Sequence, residues 1–179
     1  DANLYVVTVP TPVDKKNKPD LSHLRSACEL IGEVLFKDDL VIFESTVFPG
    51  CTEEVCVPIL EKKSKLVFNK DFYVGYSPER INPGDKSNSL KNILKVTSGS
   101  NKSSAQFVNQ LYASVIDAGT HLAPSLKVAE ASKILENAQR DVNIAFMNEM
   151  SNYFVATGIN TQDVLAAART KWNFLNFTP

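Results

Sequence analysis

The chain has 179 residues, 44% of them apolar and 22% charged, with a formal net charge of −1. That balance is ordinary for a globular protein, and the scattered charge of both signs leaves no footprint for nucleic acid or for an anionic membrane surface. No apolar run reaches the ~18 residues a membrane span needs, and three cysteines without paired spacing point to a reduced, cytoplasmic protein.

The first element is a β-rich run from Leu4 to Val9. Pro10, Thr11 and Pro12 end it, because a strand cannot continue through two prolines. The chain is inside this apolar run almost from Asp1, as expected of a piece of a longer polypeptide. After the charged loop Asp14 to Asn17, Asp20 is placed to cap a helix whose apolar residues Leu21, Leu24, Cys28, Ile31 and Leu35 recur at three and four. Leu40 to Phe43 is short and wholly apolar, the pattern of a parallel strand covered on both faces. Glu44, Ser45 and Thr46 follow it. Pro49 and Gly50 then lead into a helix through Glu53, Val55 and Ile59 to Lys65.

Phe72 to Tyr76 reads as a third strand, with Ser77, Pro78, Glu79 and Arg80 at its end and a turn at Asn82 to Asp85. Ile93 to Thr97 is a fourth strand ending in Ser98, Gly99 and Ser100. A helix from Lys102 to Ile116 presents Phe107, Leu111 and Val115 on one face. Gly119 to Leu122 is a short fifth strand. Strand and helix alternate to about residue 124, which predicts a doubly wound parallel sheet with right-handed crossovers.

Beyond Pro124 the chain is helical. Ser125 to Gly158 holds no Pro or Gly before its last residue, with Ser125 as N-cap and Gly158 as stop. As one helix it spans about 51 Å at about 1.5 Å per residue, long enough to reach a second domain or subunit. Val128, Ala131, Leu135, Ala138, Val142, Ala145 and Met150 form its apolar stripe. Lys133, Asn137 and Arg140 share a polar face, and from the helix alone a solvated face is the simpler reading. Asn160 and Thr161 open a further helix to about Lys171, with Asp163 in a capping position. His23 and His121 have no zinc-like spacing to the cysteines, so no metal is expected.

Ligands of an open parallel sheet bind beyond the carboxyl ends of its strands. The expected polar clusters there are Pro10-Thr11-Pro12, Glu44-Ser45-Thr46, Ser77 to Arg80, and Ser98-Gly99-Ser100. Turns and caps would use the same residues, and Ser98 to Asn101 reads more simply as a helix cap than as a phosphate cradle. No Gly-x-Gly-x-x-Gly turn occurs.

Four segments together resemble the UDP-glucose/GDP-mannose dehydrogenase family. They are VVTVPTPVD (Val6 to Asp14), ESTVFPGCTEEV (Glu44 to Val55), YSPERINPGDK (Tyr76 to Lys86) and AEASKILENAQRDVNIAFMNE (Ala129 to Glu149). Their order and spacing resemble the family over nearly the whole chain, and SPERINPG resembles the branch acting on UDP-N-acetylhexosamines.

The resemblance implies the later part of a Rossmann NAD-binding domain over residues 1–124, without its first strand and Gly-rich turn. A long connecting helix and the start of an all-α central domain follow over 125–179. It implies NAD as cofactor, a UDP-sugar substrate and a homodimer built on the long helix. It implies two oxidations at the sugar C6 through a cysteine-bound intermediate. Thr46, Glu79, Lys133 and Asn137 are then the catalytic residues. Lys133 and Asn137 stabilise an oxyanion at C6, Glu79 serves as base for forming or hydrolysing the thioester, and Thr46 holds the hydrolytic water. Pro10, Thr11, Glu44, Ser45 and Thr46 line the cofactor edge, and Glu79, Arg80, Lys133, Asn137 and Arg140 face the substrate.

Pro83 stands where the glucose branch has a second glutamate. The family's nucleophilic cysteine belongs to a segment expected beyond Pro179, and Cys51 and Cys56 stand in the wrong context to replace it, so this piece alone is expected to be inactive. Two other classes remain open. A β-hydroxyacid dehydrogenase also carries Lys and Asn four apart but needs no SPE motif, and a non-catalytic dimerisation module needs no clustering of polar residues.

Overall fold

The computed structural model describes residues 2–81 and 89–179. The expected turn at Asn82 to Asp85, with Pro83, lies outside the described residues. The described chain divides into two compact units, one through Ile134 and the other Leu135–Pro179.

The first unit is built on a five-stranded sheet of β1 (Leu4–Val7), β2 (Leu40–Phe43), β3 (Tyr73–Tyr76), β4 (Lys95–Gly99) and β5 (Thr120–Leu122), adjacent in that order. β1, β2 and β3 pair in parallel, with Leu4 opposite Leu40 and Leu40 opposite Tyr73. Side chains alternate between two cores. Val41 and Phe43 point with Val7, Val74 and Tyr76 toward α1 (Ser22–Val34) and α2 (Val57–Ser64), while Leu40 and Ile42 meet Val108 and Tyr112 of α3 (Lys102–Ala113) and Ile116 just beyond it. Helices therefore cover both faces of a mostly parallel α/β sheet, as the alternation predicts.

Two expectations are corrected. β4 runs antiparallel to β3, with Gly75 opposite Gly99. A parallel return requires a crossover of a dozen or more residues, usually a helix. Between β3 and β4 the described residues supply only a 3₁₀ turn at Leu90–Asn92. Ser98, Gly99 and Ser100 therefore run back from the edge that holds Ser45 and Ser77, with Ser98 opposite Tyr76 and Gly99 opposite Gly75, toward the start of β3. There Ser100 N donates to Val74 O at 2.8 Å, and Asn101 caps α3 in a reciprocal capping box with Ser104. The inward face of α3 is also one residue off the expected one: Val108 and Tyr112, with Ile116 just past the helix, are buried, whereas Phe107 and the following Val115 are half exposed.

The segment before α2 has a local cause of its own. Pro58 lacks an N–H and would crowd the carbonyl four residues back. The preceding turn, Thr52–Cys56, widens into a π-helix, and Val57 N–H reaches Thr52 O. Cys28, Cys51 and Cys56 are all buried beside it.

The long helix α4 (Leu126–Ala156) begins in the first unit, capped by Ser125 Oγ accepting from Val128 N at 3.2 Å. Its stop is in the second unit. Gly158 has φ 74°, its N–H reaches Val155 O, and Ile159 N–H reaches Phe154 O at 2.8 Å. These are the paired bonds of a Schellman cap, which favour a residue without Cβ. α5 (Thr161–Ala168) follows, with Asn160 Oδ1 accepting from Gln162 N and Asp163 N. Val128, Leu135 and Val142 of the expected apolar stripe are exposed. The residues of α4 buried in the first unit are Leu126, Ala129 and Glu130.

Candidate active site

Three parallel strands end at one edge of the first unit, and the loops leaving them are bound to each other. Thr11 Oγ1 donates to Thr46 O at 2.6 Å, and Ser45 Oγ donates to Val9 O at 2.5 Å. Beneath them, the buried Tyr76 hydroxyl donates to Ser45 O at 3.1 Å. Ser77 Oγ donates to Val96 O at 2.7 Å and so ties the end of β3 to β4. The small hydroxyl residues after β1 and β2 thus fix the height and direction of the loops at this edge.

The antiparallel β4 contributes a residue that sequence reading missed. Its first residue, Lys95, stands at the carboxyl edge of β3, and its side chain is only 3% exposed. The ammonium lies 3.1 Å from Glu44 Oε2 and 3.5 Å from Glu79 Oε2, and 5.2 Å from the centre of the Tyr112 ring. The Tyr112 hydroxyl donates to the other oxygen of Glu44, so both oxygens of Glu44 are engaged. Burial, then the hydrogen bond to Glu44 and its charge, push the Tyr112 hydroxyl well above the ordinary phenol range. A lysine opening an apolar strand was the available signal. It went unused because the expected start of that strand was Ile93.

Glu79 Oε1 accepts the N–H groups of Arg80 and Ile81, each at 2.7 Å. Burial acts to raise its pKa, but those N–H groups and the Lys95 ammonium outweigh it and hold the carboxyl below the usual glutamate value. Arg80 Nη1 donates to Leu94 O at 3.0 Å. Arg80 also borders a cleft of about 300 Å³ with Val96, His121, Ala123, Val128 and Ser132, which brings the SPER segment up to the first turns of α4. A larger cleft of about 410 Å³ opens where the strands begin, lined by Asn3, Leu40, Tyr73, Asn101 and Phe107. None of the expected site residues borders it.

Lys133 belongs to the first unit and is half-buried. Three residues earlier the fully buried Glu130 accepts Gly50 N–H at 2.5 Å, Thr52 N–H at 2.9 Å and the Thr52 hydroxyl at 2.6 Å. This clamp joins the Lys133 turn of α4 to the segment that follows Thr46. Sequence reading missed it, although Glu130 falls four residues after the buried Leu126. Asn137 and Arg140 belong to the second unit, where Arg140 Nη2 donates to Asn137 Oδ1 at 3.1 Å. Among the described residues no group of three or more His, Cys, Asp and Glu is arranged to hold a metal, and no helix is long and apolar enough to cross a membrane.

Residues 1–116 match the NAD binding domain of the UDP-glucose/GDP-mannose dehydrogenase family, and residues 127–179 match its central domain. A UDP-N-acetyl-D-glucosamine 6-dehydrogenase of Pseudomonas aeruginosa is 59% identical over 99% of this chain and 42% of its own length. One of Salmonella typhi is 55% identical over 100% of this chain and 42% of its own length. Among solved structures, a UDP-D-ManNAc dehydrogenase of Pyrococcus horikoshii superimposes with a TM-score of 0.91 at 34% identity, over 99% of this chain and 42% of that one. The chain thus spans about two fifths of the length of these relatives. The carboxyl edge of β1 to β3 fits the dinucleotide implied by the match. It is the edge where such sheets bind ligands, and the Thr11–Thr46 and Ser45–Val9 bonds set its loops.

Proposed function

The chain belongs to the UDP-glucose/GDP-mannose dehydrogenase family, and from that premise we propose that it is part of an enzyme oxidising the C6 alcohol of a UDP-N-acetylhexosamine to the uronic acid in two NAD-dependent steps. The observation that carries this reading is the strand edge at which Thr11 is bonded to Thr46, the buried Lys95 holds Glu44 and Glu79, and Arg80 is tied to Leu94. The relatives named above, acting on N-acetylated UDP-sugars, support the substrate class.

NAD, when bound, accepts hydride from the sugar carbon. The chain's own part is to hold and to move protons. Pro10, Thr11, Ser45 and Thr46 would hold the cofactor along the strand ends, with Glu44 beneath them. Glu79, ionised and partly exposed, would act as the proton acceptor for the reaction at C6. Lys133 and Asn137 supply an ammonium and an amide toward the oxygen at C6, where charge develops. Thr46 orders water for hydrolysis, and Arg80 and Arg140 contact sugar or phosphate.

The NAD-binding part ends near residue 124 on this reading, and the helical part from 125 onward forms a homodimer. Support for the dimer lies in the second unit, where Leu135, Val142, Phe146 and Val155 of α4 are exposed. The deciding experiment measures NADH released per UDP-N-acetylhexosamine by the full-length protein, with the product identified by mass. Two NADH and a uronic acid are expected; one NADH per sugar, or no oxidation, overturns the reading.

A further inference from the structure

Lys95 stands out among the buried groups because its ammonium has two carboxylate partners of different kinds. Taking an ammonium out of water is costly, and a paired carboxylate offsets that cost. Glu44, at 3.1 Å, meets that need: its side chain is 14% exposed and its second oxygen is held by the Tyr112 hydroxyl. Glu79, at 3.5 Å with a 40% exposed side chain, is not required for burial of the charge. It is the outer partner, reached by solvent.

We propose that Lys95 is a positioning residue for Glu79, orienting its carboxylate for proton transfer, with Glu44 and Tyr112 as the inner anchor that keeps the ammonium in place. This rests on the functional reading above and deepens it. The geometry is specific. Oε1 of Glu79 is fixed by two backbone N–H groups of its own segment, and Oε2 is drawn to the ammonium. Holding both oxygens fixes the plane of the carboxylate. Among the described residues, the charged and titratable groups around it come from each neighbouring element: Glu44 from the end of β2, Lys95 from β4, Tyr112 from α3, and Arg80 from its own segment. Removing the ammonium takes away the attraction and exposes Glu79 to the uncompensated charge of Glu44. Both changes make Glu79 a weaker acid.

The test uses the full-length protein with UDP-N-acetylhexosamine and NAD. With Lys95→Met, the acidic limb of kcat against pH is expected to move up by about one pH unit, with the rate recovering above it. Lys95→Arg should restore the limb. Glu44→Gln, which leaves the ammonium to Glu79 alone, should move it down, and it serves if Lys95→Met does not fold. In parallel, the Glu79 carboxyl carbon is titrated by NMR in the same proteins, identified by its loss in Glu79→Gln. Its midpoint should rise in Lys95→Met and fall in Glu44→Gln. A rate lowered equally at every pH, with an unmoved carboxyl midpoint, shows a purely structural lysine and overturns the inference. A wild-type protein that oxidises no UDP-sugar overturns the functional reading instead, and the carbon titration still decides whether Lys95 governs Glu79.

Discussion

The carboxylate of Glu130, on the second turn of α4, accepts both the backbone N–H and the hydroxyl of Thr52, at 2.9 and 2.6 Å, through a single oxygen. Its other oxygen takes Gly50 N–H at 2.5 Å. The side chain is fully buried, so water cannot replace any of these bonds. Glu130→Gln keeps the shape but turns an amide NH₂ toward one of two fixed backbone donors. We expect a loss of about 2 kcal/mol in unfolding free energy, read from urea denaturation. A midpoint equal to wild type would show that the clamp is not a source of stability.

Glu79 links stability to acid. Its folded pKa is depressed below the ordinary 4.5, so its contribution is complete above that value and disappears as pH falls through the lower folded one. The difference in unfolding free energy between wild type and Glu79→Gln should therefore be steady at neutral pH and shrink progressively in acid below about 4.5. A difference that stays flat from neutral to strongly acid pH would contradict the assigned ionisation.

The cysteines give a prediction about reactivity. Cys56 lies in hydrogen-bond contact with Cys28 and Cys51. The bond to Cys28, then that to Cys51, then burial, push its thiol far above the ordinary range, while the bond from Cys56 lowers that of Cys51. All three are shielded from solvent. Brief alkylation of the native protein followed by peptide mapping should leave Cys28, Cys51 and Cys56 unmodified, and the same treatment in denaturant should label all three. Fast native labelling of Cys51 would mean that the π-helical turn opens readily.

Lys133→Ala in the full-length protein tests the proposed oxyanion role. We expect kcat to fall by roughly 10²–10³, the loss typical of removing one oxyanion donor, with a smaller change in KM. A variant with wild-type kcat would remove Lys133 from the chemistry and leave it as a packing residue of α4.

The sequence by itself determined the elements and the family. Alternation of short apolar runs with helical periods predicted the α/β sheet, and Leu40–Phe43 was legible to the residue because a run buried on both faces leaves no polar position to blur its ends. Ser125 and Gly158 marked the ends of α4 because caps are local chemistry. Thr11, Thr46, Glu79 and Lys133 were named through motif resemblance, since spacing alone did not separate them from ordinary turn and surface residues. Three features were decided only by the tertiary structure. The direction of β4 depends on the path of the connection before it, and reversing that strand turned Ser98 to Ser100 back along β3, away from the candidate edge, and put Lys95 there. The buried side of α3 depends on which residues meet the sheet, a rotation of one position that periodicity does not fix. The pairing of Glu130 with Gly50 and Thr52 joins residues about eighty positions apart. Nothing local to either segment encodes that contact, because a buried carboxylate finds its donors only after the chain has folded.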